Sequence, residues 1–439
     1  YFRYDRLDAE AYRRGYSFDP QCVDDQTEVL TTDGFVRFPN LTTDHAVAVW
    51  NDKSGNIHFE RPQCIVDKPH TGDLLKFEGR RASLCITPTH RQPCSPSRDP
   101  RVLRNRTRLL WRVKEAAAIE QEAELNVPSC GTVSGGVHLP RAVVQLLVAT
   151  QADGTYRHVH CQVEWHFSKS HKVNRLIAVS RRAGIALQKY QCRDGTVILS
   201  AGPAWYTICQ EWLGREKVLS RRFLSLDLYS LRIFVRELGY WDSRQTTRQA
   251  PSLCYISAIE QNVDIAQAAG VLCGYRAYKS RQGDLWAANL TRKVTTSTIA
   301  KPGFSRTPYT GHIYCITCST GFFIMRRDGK VCITGNSEVA DLMNQRGLKP
   351  LHQRGGDFHI NAHVHDSLFL SVKPDAAYDV AKFLVDSLER PRTYYGIELS
   401  MPCTVRLGRS WKTTTEFLRL PDQTTFDHAV HAVMEGGVL

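Results

Sequence analysis

From Cys22 to about Arg91, apolar and polar residues alternate in short runs separated by turn signals. Positions 28–32 run into Asp33-Gly34, positions 46–50 lead to Lys53-Ser54-Gly55-Asn56, and positions 74–77 and 83–87 continue the series. A period of two, rich in β-branched residues, predicts strands joined by hairpins. Residues 310–335 have the same texture, with runs at 313–317, 322–325 and 330–334. Asp328-Gly329 between the last two is a hairpin-turn dipeptide.

Residues 107–128 and 140–300 differ, mixing helical periodicity with strands, and they contain a weak internal repeat. In the first copy an apolar helix over 143–149 leads into Ala152-Asp153-Gly154. A strand over 159–167 follows, then a basic helix ending Ala183-Gly184-Ile185. In the second copy a helix over 231–238 leads into Trp241-Asp242-Ser243, followed by a strand over 253–259 and a helix ending Ala269-Gly270-Val271. Past Ser337 the pattern predicts a helix over 338–345, two strands at 359–363 and 368–372 around His365-Asp366-Ser367, and a helix over 376–388.

With 439 residues the chain is long enough for two to four domains. No apolar run reaches the length of about 18 residues that a membrane helix needs, and no apolar stretch follows the first residues as in a signal peptide. Lacking an initiator Met, the chain reads as part of a longer product, and no membrane association is expected. Charge is unevenly placed. There are 57 Lys+Arg against 44 Asp+Glu, and residues 101–300 alone hold 28 basic and 15 acidic side chains, which is the whole of the +13 excess. A polyanion such as double-stranded DNA is the natural partner of that middle region, and a solvated basic surface is the alternative. The 14 cysteines are scattered without a disulfide framework, which suits a reducing cytoplasm, bacterial or of a phage-infected cell. Cys315 and Cys318 form a Cys-x-x-Cys pair with no second pair to complete a zinc site, so a structural place on a strand is expected.

Cys22, Asn336 and Ser337 bracket a β-rich segment, and together they can excise it. The Cys22 sulfur can attack the Gln21 carbonyl, converting an amide to a thioester. The Ser337 hydroxyl can take over the acyl group, and the Asn336 carboxamide can cyclise and release the segment. The first step is uphill without help, and Thr87-Pro88-Thr89-His90 offers it, with His90 as acid to the leaving nitrogen and Thr87 as orienter.

These residues resemble an intein of the Hint fold. Cys22 to Gly34 is similar to the N-terminal intein block, Gly79 to His90 to the block with the Thr-x-x-His motif, and Ile313 to Phe323 and Val331 to Asn336 to the two C-terminal blocks. The resemblance implies an all-β horseshoe assembled from both ends of the segment. It departs from the family at Gly335, where a His is usual, and at Cys315, where Asp is frequent and for which a nucleophilic or proton-relay role is a candidate beside that of a buried strand thiol. The basic middle region resembles a two-motif LAGLIDADG homing endonuclease with an α/β fold. That resemblance implies Asp153 and Asp242 as Mg²⁺ ligands and Lys169, Lys172, Arg175, Arg181, Arg182 and Lys189 as phosphate contacts. An insert that folds without cutting is the alternative.

Joined, the flanks resemble the palm of a phage-type family A DNA polymerase, of α+β fold. The likeness lies in Ser337 to Asn344, in His363-Val364-His365-Asp366-Ser367 and in Gly408-Arg409-Ser410-Trp411. It implies Asp366 as a further Mg²⁺ ligand, with dNTPs and primer-template as partners of the complete polymerase only. The expected organisation is a flank at 1–21, Hint halves at 22–100 and 306–336, an endonuclease with linkers at 101–305, and a second flank at 337–439. Splicing itself needs no cofactor. A DNA-binding protein with a Hint-like module that does not splice is the rival reading.

Overall fold

The computed structural model describes residues 2–3, 21–62, 64–95, 111–241, 243–246, 252–292, 294–335, 343–364, 367–394, 397–399, 402–410 and 413–435. The fold is mixed α/β with several sheets, and the chain divides into two compact units, one of Tyr1–Pro20 with Ser337–Leu439 and one of Gln21–Asn336. No helix among the described residues is long and apolar enough to cross a membrane.

The larger unit begins with β1 (Glu28–Thr31), β2 (Val47–Trp50), β3 (Cys64–Glu78), β4 (Ser83–Ile86) and β5 (Arg91–Cys94). Its middle holds four helices, α1 (Arg141–Asp153), α2 (Ser170–Ala183), α3 (Leu228–Leu238) and α4 (Glu260–Leu272). β6 (Tyr275–Gln282) and β7 (Thr296–Ala300) follow, and the unit closes with β8 (Phe304–Thr317), β9 (Phe322–Arg327) and β10 (Lys330–Gly335).

β3 and β8 come from opposite ends of this unit and pair antiparallel over their full length, from Cys64 opposite Thr317 to Phe77 opposite Phe304. Buried residues lie at both ends of the ribbon, at Leu74, Leu75 and Phe77 on one side and Ile313 to Thr317 on the other. The stretch between, Pro69–Asp73 opposite Pro308–His312, holds no buried residue. β9 and β10 form a hairpin in which Asp328 and Gly329 both take positive φ, 51° and 71°. A two-residue turn with both residues left-handed matches the right-handed twist of the strands it joins.

The repeat in the middle region appears as two copies of one plan. After α1, the strands Gly154–Arg157, Gln162–Phe167, Leu187–Gln191 and Val197–Ala201 form a sheet in the order first, second, fourth, third. After α3, the strands Ser243–Thr246, Ser252–Ser257, β6 and Leu285–Arg292 repeat that order. In each copy the second helix, α2 or α4, lies between the two strand pairs in sequence. The copies differ at their glycines: Gly184 ends α2 with φ 71°, whereas Gly270 stays inside α4, where a side chain would meet Leu290. α1 packs against α3 and is buried nearly all round, through Val144, Leu146, Leu147, Val148 and Ala149. Such a helix belongs at the centre of a core.

The second copy's sheet runs on into the β-rich body, because Tyr278 of β6 pairs with Lys330 of β10. Arg326, 3% exposed, locks this join through Glu28 at 2.6 and 2.7 Å, Asp264 on α4 and Gln267 at 3.1 Å.

In the smaller unit a five-stranded sheet has the spatial order Phe358–Val364, Ser367–Val372, Phe2–Arg3, Thr404–Ser410, Thr413–Phe417. A strand from the start of the chain therefore lies between two from its end, Phe2 facing Leu368 and Val405. Helices Ala377–Leu388 and Gln423–Met434 contribute to this unit's core, which includes Leu384, Val405 and Phe426.

Candidate functional site

Cys22 is fully buried, and backbone pairing on both sides fixes it. Val23 bridges antiparallel to Ile86 and to Tyr314, donating to the Tyr314 carbonyl at 2.8 Å and accepting from its N–H at 2.9 Å. Asp24 donates to the Cys85 carbonyl at 3.1 Å, so the segment threads between the end of β4 and the last third of β8. The buried Asp24 carboxylate anchors it, meeting the Arg327 guanidinium at 2.8–3.2 Å. Around Cys22 lie Val66, Leu74, Cys85, Ile313 and Cys315. Burial first, and the neighbouring Cys315 second, push the Cys22 thiol far above its ordinary pKa, so it rests as S–H. Burial likewise pushes Cys85 up to about 12, with the Asp24 charge adding to it.

Thr87 holds both polar groups of Cys22. Its Oγ1 accepts from the Cys22 N–H at 3.2 Å, and its own N–H donates to the Cys22 carbonyl at 3.0 Å. The Thr87 carbonyl accepts from the His90 N–H at 3.0 Å, which places the imidazole at the same strand end. His90 is fully buried, and a relay fixes its ring. The Gln92 carboxamide donates to the carbonyls of Ile333 at 2.7 Å and Pro93 at 3.1 Å, leaving its Oε1 to accept from the Thr334 hydroxyl at 2.8 Å. Thr334 Oγ1 has then spent its proton and must accept from His90 Nε2 at 2.6 Å. The hydrogen-bond network thus assigns the Nε2–H tautomer and leaves Nδ1 as a bare acceptor. Nδ1 is buried and has no hydrogen-bond partner. Burial pushes the His90 pKa down to about 4, the adjacent Gln21 backbone pulling the other way and Arg91 adding to the fall. The ring beside the Gln21 backbone is therefore neutral. Thr334 and Gln92 had no motif to betray them, since their role depends on strands more than 200 positions apart.

Gly335 at the end of β10 pairs with Phe322, and a Cβ built on it would run into the Arg91 carbonyl. The packing admits only glycine there, which accounts for the missing histidine. Asn336 and Ser337 lie outside the described residues. Cys315 lies on β8, 1% exposed, beside Cys22, and Cys318 follows the strand's end. All fourteen cysteines are free thiols.

In the middle region Asp153 is the last residue of α1, and the following Gly154 leaves no room for a side chain against the Thr150 carbonyl. Its Oδ2 accepts from Lys172 Nζ at 2.6 Å, and that ammonium also sits 5.5 Å from the Trp241 ring. Between α1 and α3 lies a group that the pattern did not single out. Glu237, 1% exposed, accepts from Gln145 at 2.8 Å, from Arg175 at 2.5 and 2.9 Å and from the Trp241 indole at 3.0 Å. Lys172 and Arg175 are thus engaged inside the protein, while Lys169, Arg181, Arg182 and Lys189 are exposed. Asp242 and Asp366 lie outside the described residues. Among the described residues no three His, Cys, Asp or Glu side chains gather as a metal site, and Asp153 is already answered by Lys172. Of the two acids expected to hold a divalent cation, only Asp153 is among the described residues, and there it faces Lys172.

No family model matches the chain. A curated relative described as ribonucleoside-diphosphate reductase subunit beta, from Aquifex aeolicus, is 25% identical over 375 residues, covering 74% of this chain. The chain spans about half that protein's length, 51%. An ATP-dependent Clp protease proteolytic subunit of Chlamydomonas moewusii is 29% identical over 72 residues, 16% of this chain and 7% of that protein. Among solved structures, the AceL NrdHF class 3 split intein is 8% identical with a TM-score of 0.27, covering 72% of this chain and 98% of its own. The homing endonuclease I-DmoI in complex with DNA and Mn is 12% identical with a TM-score of 0.26, covering 34% of this chain and 89% of its own.

Two outcomes follow from the geometry. An unfolded His90 binds a proton below about 6.5 and the folded one only below about 4, so stability falls as pH drops through that window. The loss from this group amounts to about 3 kcal/mol, and urea melts of the parent and of His90→Gln between pH 4 and 7 measure it as the difference in slope. Gly335→Ala forces β10 away from Arg91 and lowers the unfolding free energy by about 1–3 kcal/mol, measured in the same melts at pH 7.

Proposed function

We propose that residues 22–336 are a self-splicing intein carrying a DNA endonuclease of the LAGLIDADG type. The observation that carries the splicing reading is the placement of Cys22, its amide and carbonyl held by Thr87, with the unprotonated Nδ1 of His90 beside the Gln21 backbone. Both groups rest neutral, so the chemistry begins with proton transfer coupled to attack. Sγ bonds to the Gln21 carbonyl carbon while its proton passes to His90 Nδ1. The imidazolium returns that proton to the Cys22 nitrogen as the C–N bond breaks, leaving a thioester and a free amine. His90 therefore acts as base before it acts as acid. Cys315, packed beside the same sulfur, is the candidate proton relay or second nucleophile.

The remaining steps fall to Ser337, whose hydroxyl displaces the thioester sulfur, and to Asn336, whose side-chain nitrogen attacks its own carbonyl and frees Ser337. An O-to-N acyl shift then joins Gln21 to Ser337. With Gly335 sterically obliged to be glycine, Asn336 cyclisation draws its acid from elsewhere in the site. The relatives also fit an insertion. A match over 74% of this chain exceeds what the two flanks supply, so most of it lies within 22–336. A protein described as a reductase subunit then shares a portable segment with this chain rather than an activity.

For the middle region the twofold plan with α1 packed on α3 and the surplus of Lys and Arg support double-stranded DNA as partner, with Asp153 and Asp242 as the acids and Mg²⁺ as the cation of cleavage. For the flanks we propose the C-terminal part of a phage-type family A DNA polymerase palm, acting in replication. The strands Phe358–Val364 and Ser367–Val372, which flank His365-Asp366 in the sequence, pair antiparallel. The setting proposed is the cytoplasm.

Expressed with tagged ends, the chain yields a ligated flank product and a free excised segment, and Cys22→Ala with Asn336→Ala keeps it whole. A parent that stays whole as well supports the non-splicing rival. In an Asn336→Ala background, where thiol-induced cleavage reads the first step alone, Thr334→Val and Gln92→Leu unfix the His90 tautomer. Losing one such hydrogen bond, about 1–3 kcal/mol, slows cleavage roughly 10- to 100-fold. An unchanged rate removes the relay from the mechanism. Incubated with Mg²⁺ and DNA of the uninterrupted gene, the parent nicks it and Asp153→Asn does not. Binding without nicking leaves the insert as a DNA-binding module.

A further inference from the structure

A second cluster of chemistry lies apart from both sites, at the turn between β3 and β4. That turn, Gly79–Ala82, is closed by the Gly79 N–H donating to the Ala82 carbonyl at 2.9 Å, and it carries Arg80 and Arg81. Arg276 on β6 and Thr298 on β7 complete the lining of a cavity of about 180 Å³. Arg276 is 8% exposed, and only its Nη1 is engaged, donating to the Thr296 carbonyl at 2.9 Å. The Nε atoms of Arg276 and Arg81 are both buried without a hydrogen-bond partner. Among the described residues none of the three guanidiniums has an ion pair with a carboxylate.

Burial and the Arg81 charge push the Arg276 pKa down to about 10, so the pocket holds positive charge at a cost. Buried donors left unpaired cost free energy that an anion would recover. A guanidinium offers its N–H groups as a planar fork that fits the oxygens of a phosphate. Arg276 also faces the appropriate side of its sheet. On β6, Ala277 packs into the core and Lys279 reaches Glu260 and Asp264 of α4, so the alternating Arg276 points to the face away from that helix.

We propose that Arg80, Arg81 and Arg276, with Thr298, form a phosphate-binding pocket that seats one backbone phosphate of duplex DNA. The choice of DNA rests on the endonuclease reading above, whereas the phosphate chemistry does not. A single backbone phosphate held here would fix the register of the duplex without reading its sequence.

The test uses the full chain, kept whole by Cys22→Ala and Asn336→Ala. Inorganic phosphate raises the melting temperature of this parent in a concentration-dependent way and leaves Arg276→Gln unmoved. Arg81→Gln is the second variant should Arg276→Gln fail to fold. Duplex DNA is then titrated over a range of salt. Arg276→Gln reduces the slope of log affinity against log salt by about one, and Arg276→Lys restores it. Phosphate stabilisation lost in the variant with an unchanged salt slope overturns the DNA assignment and leaves a site for a free oxyanion. An equal phosphate response in parent and both variants overturns the pocket altogether. A parent that binds no duplex sinks the endonuclease reading, while the phosphate titration still decides the pocket.

Discussion

The hydrogen bond from His90 to Thr334 joins the two ends of the larger unit, and the geometry around Cys22 depends on it. One partner sits just before β5 and the other on β10, so the imidazole has its fixed ring only once the last strand is in place. The bond is short and wholly buried, and Gln92 takes the proton that would otherwise let Thr334 turn either way. Two side chains thereby convert a histidine, which could present either nitrogen, into one that presents Nδ1 alone. Low dielectric strengthens such a chain of dipoles and makes its one unfilled position costly. That position is His90 Nδ1.

The body and the insert share more than a linker. β10 pairs with β6, and Arg326 reaches from β9 to Glu28 on one side and to α4 on the other. Removing one partner from a buried ion pair of this kind strands the other without water. The two regions are therefore one cooperative piece at this seam.

Much of this was legible from local pattern. Asp-Gly at 328–329 forced the last hairpin, and alternation located β1, β2, β4, β9 and β10 to within a few residues. The repeat read from acid to Ala-Gly spacing appears as two sheets of equal strand order. Cys22, Thr87 and His90, singled out by short spacing or by a change of texture, lie together at one strand end. What stayed hidden was whatever depends on distant pairing. Gln92 and Thr334 look like ordinary strand residues until β5 meets β10. Glu237 looks like a solvated helix acid, yet α1 and α2 enclose it with Gln145 and Arg175. Lys172 and Arg175 lie in a basic run that suggests an outward face, but Lys172 answers the half-buried Asp153 and Arg175 the buried Glu237. At 335 a glycine stands because a side chain there would run into the Arg91 carbonyl, which no local pattern reveals.

The small strand Phe2–Arg3 has one more implication. Because it is hydrogen-bonded to strands from the far end of the chain, a cut ahead of Cys22, on the splicing reading, would not set the leading peptide adrift. The sheet keeps hold of it, and its local concentration near the following fragment stays far above that of a free peptide in solution. On that reading scission and escape are separate events, and a severed intermediate would keep time to be sewn together again.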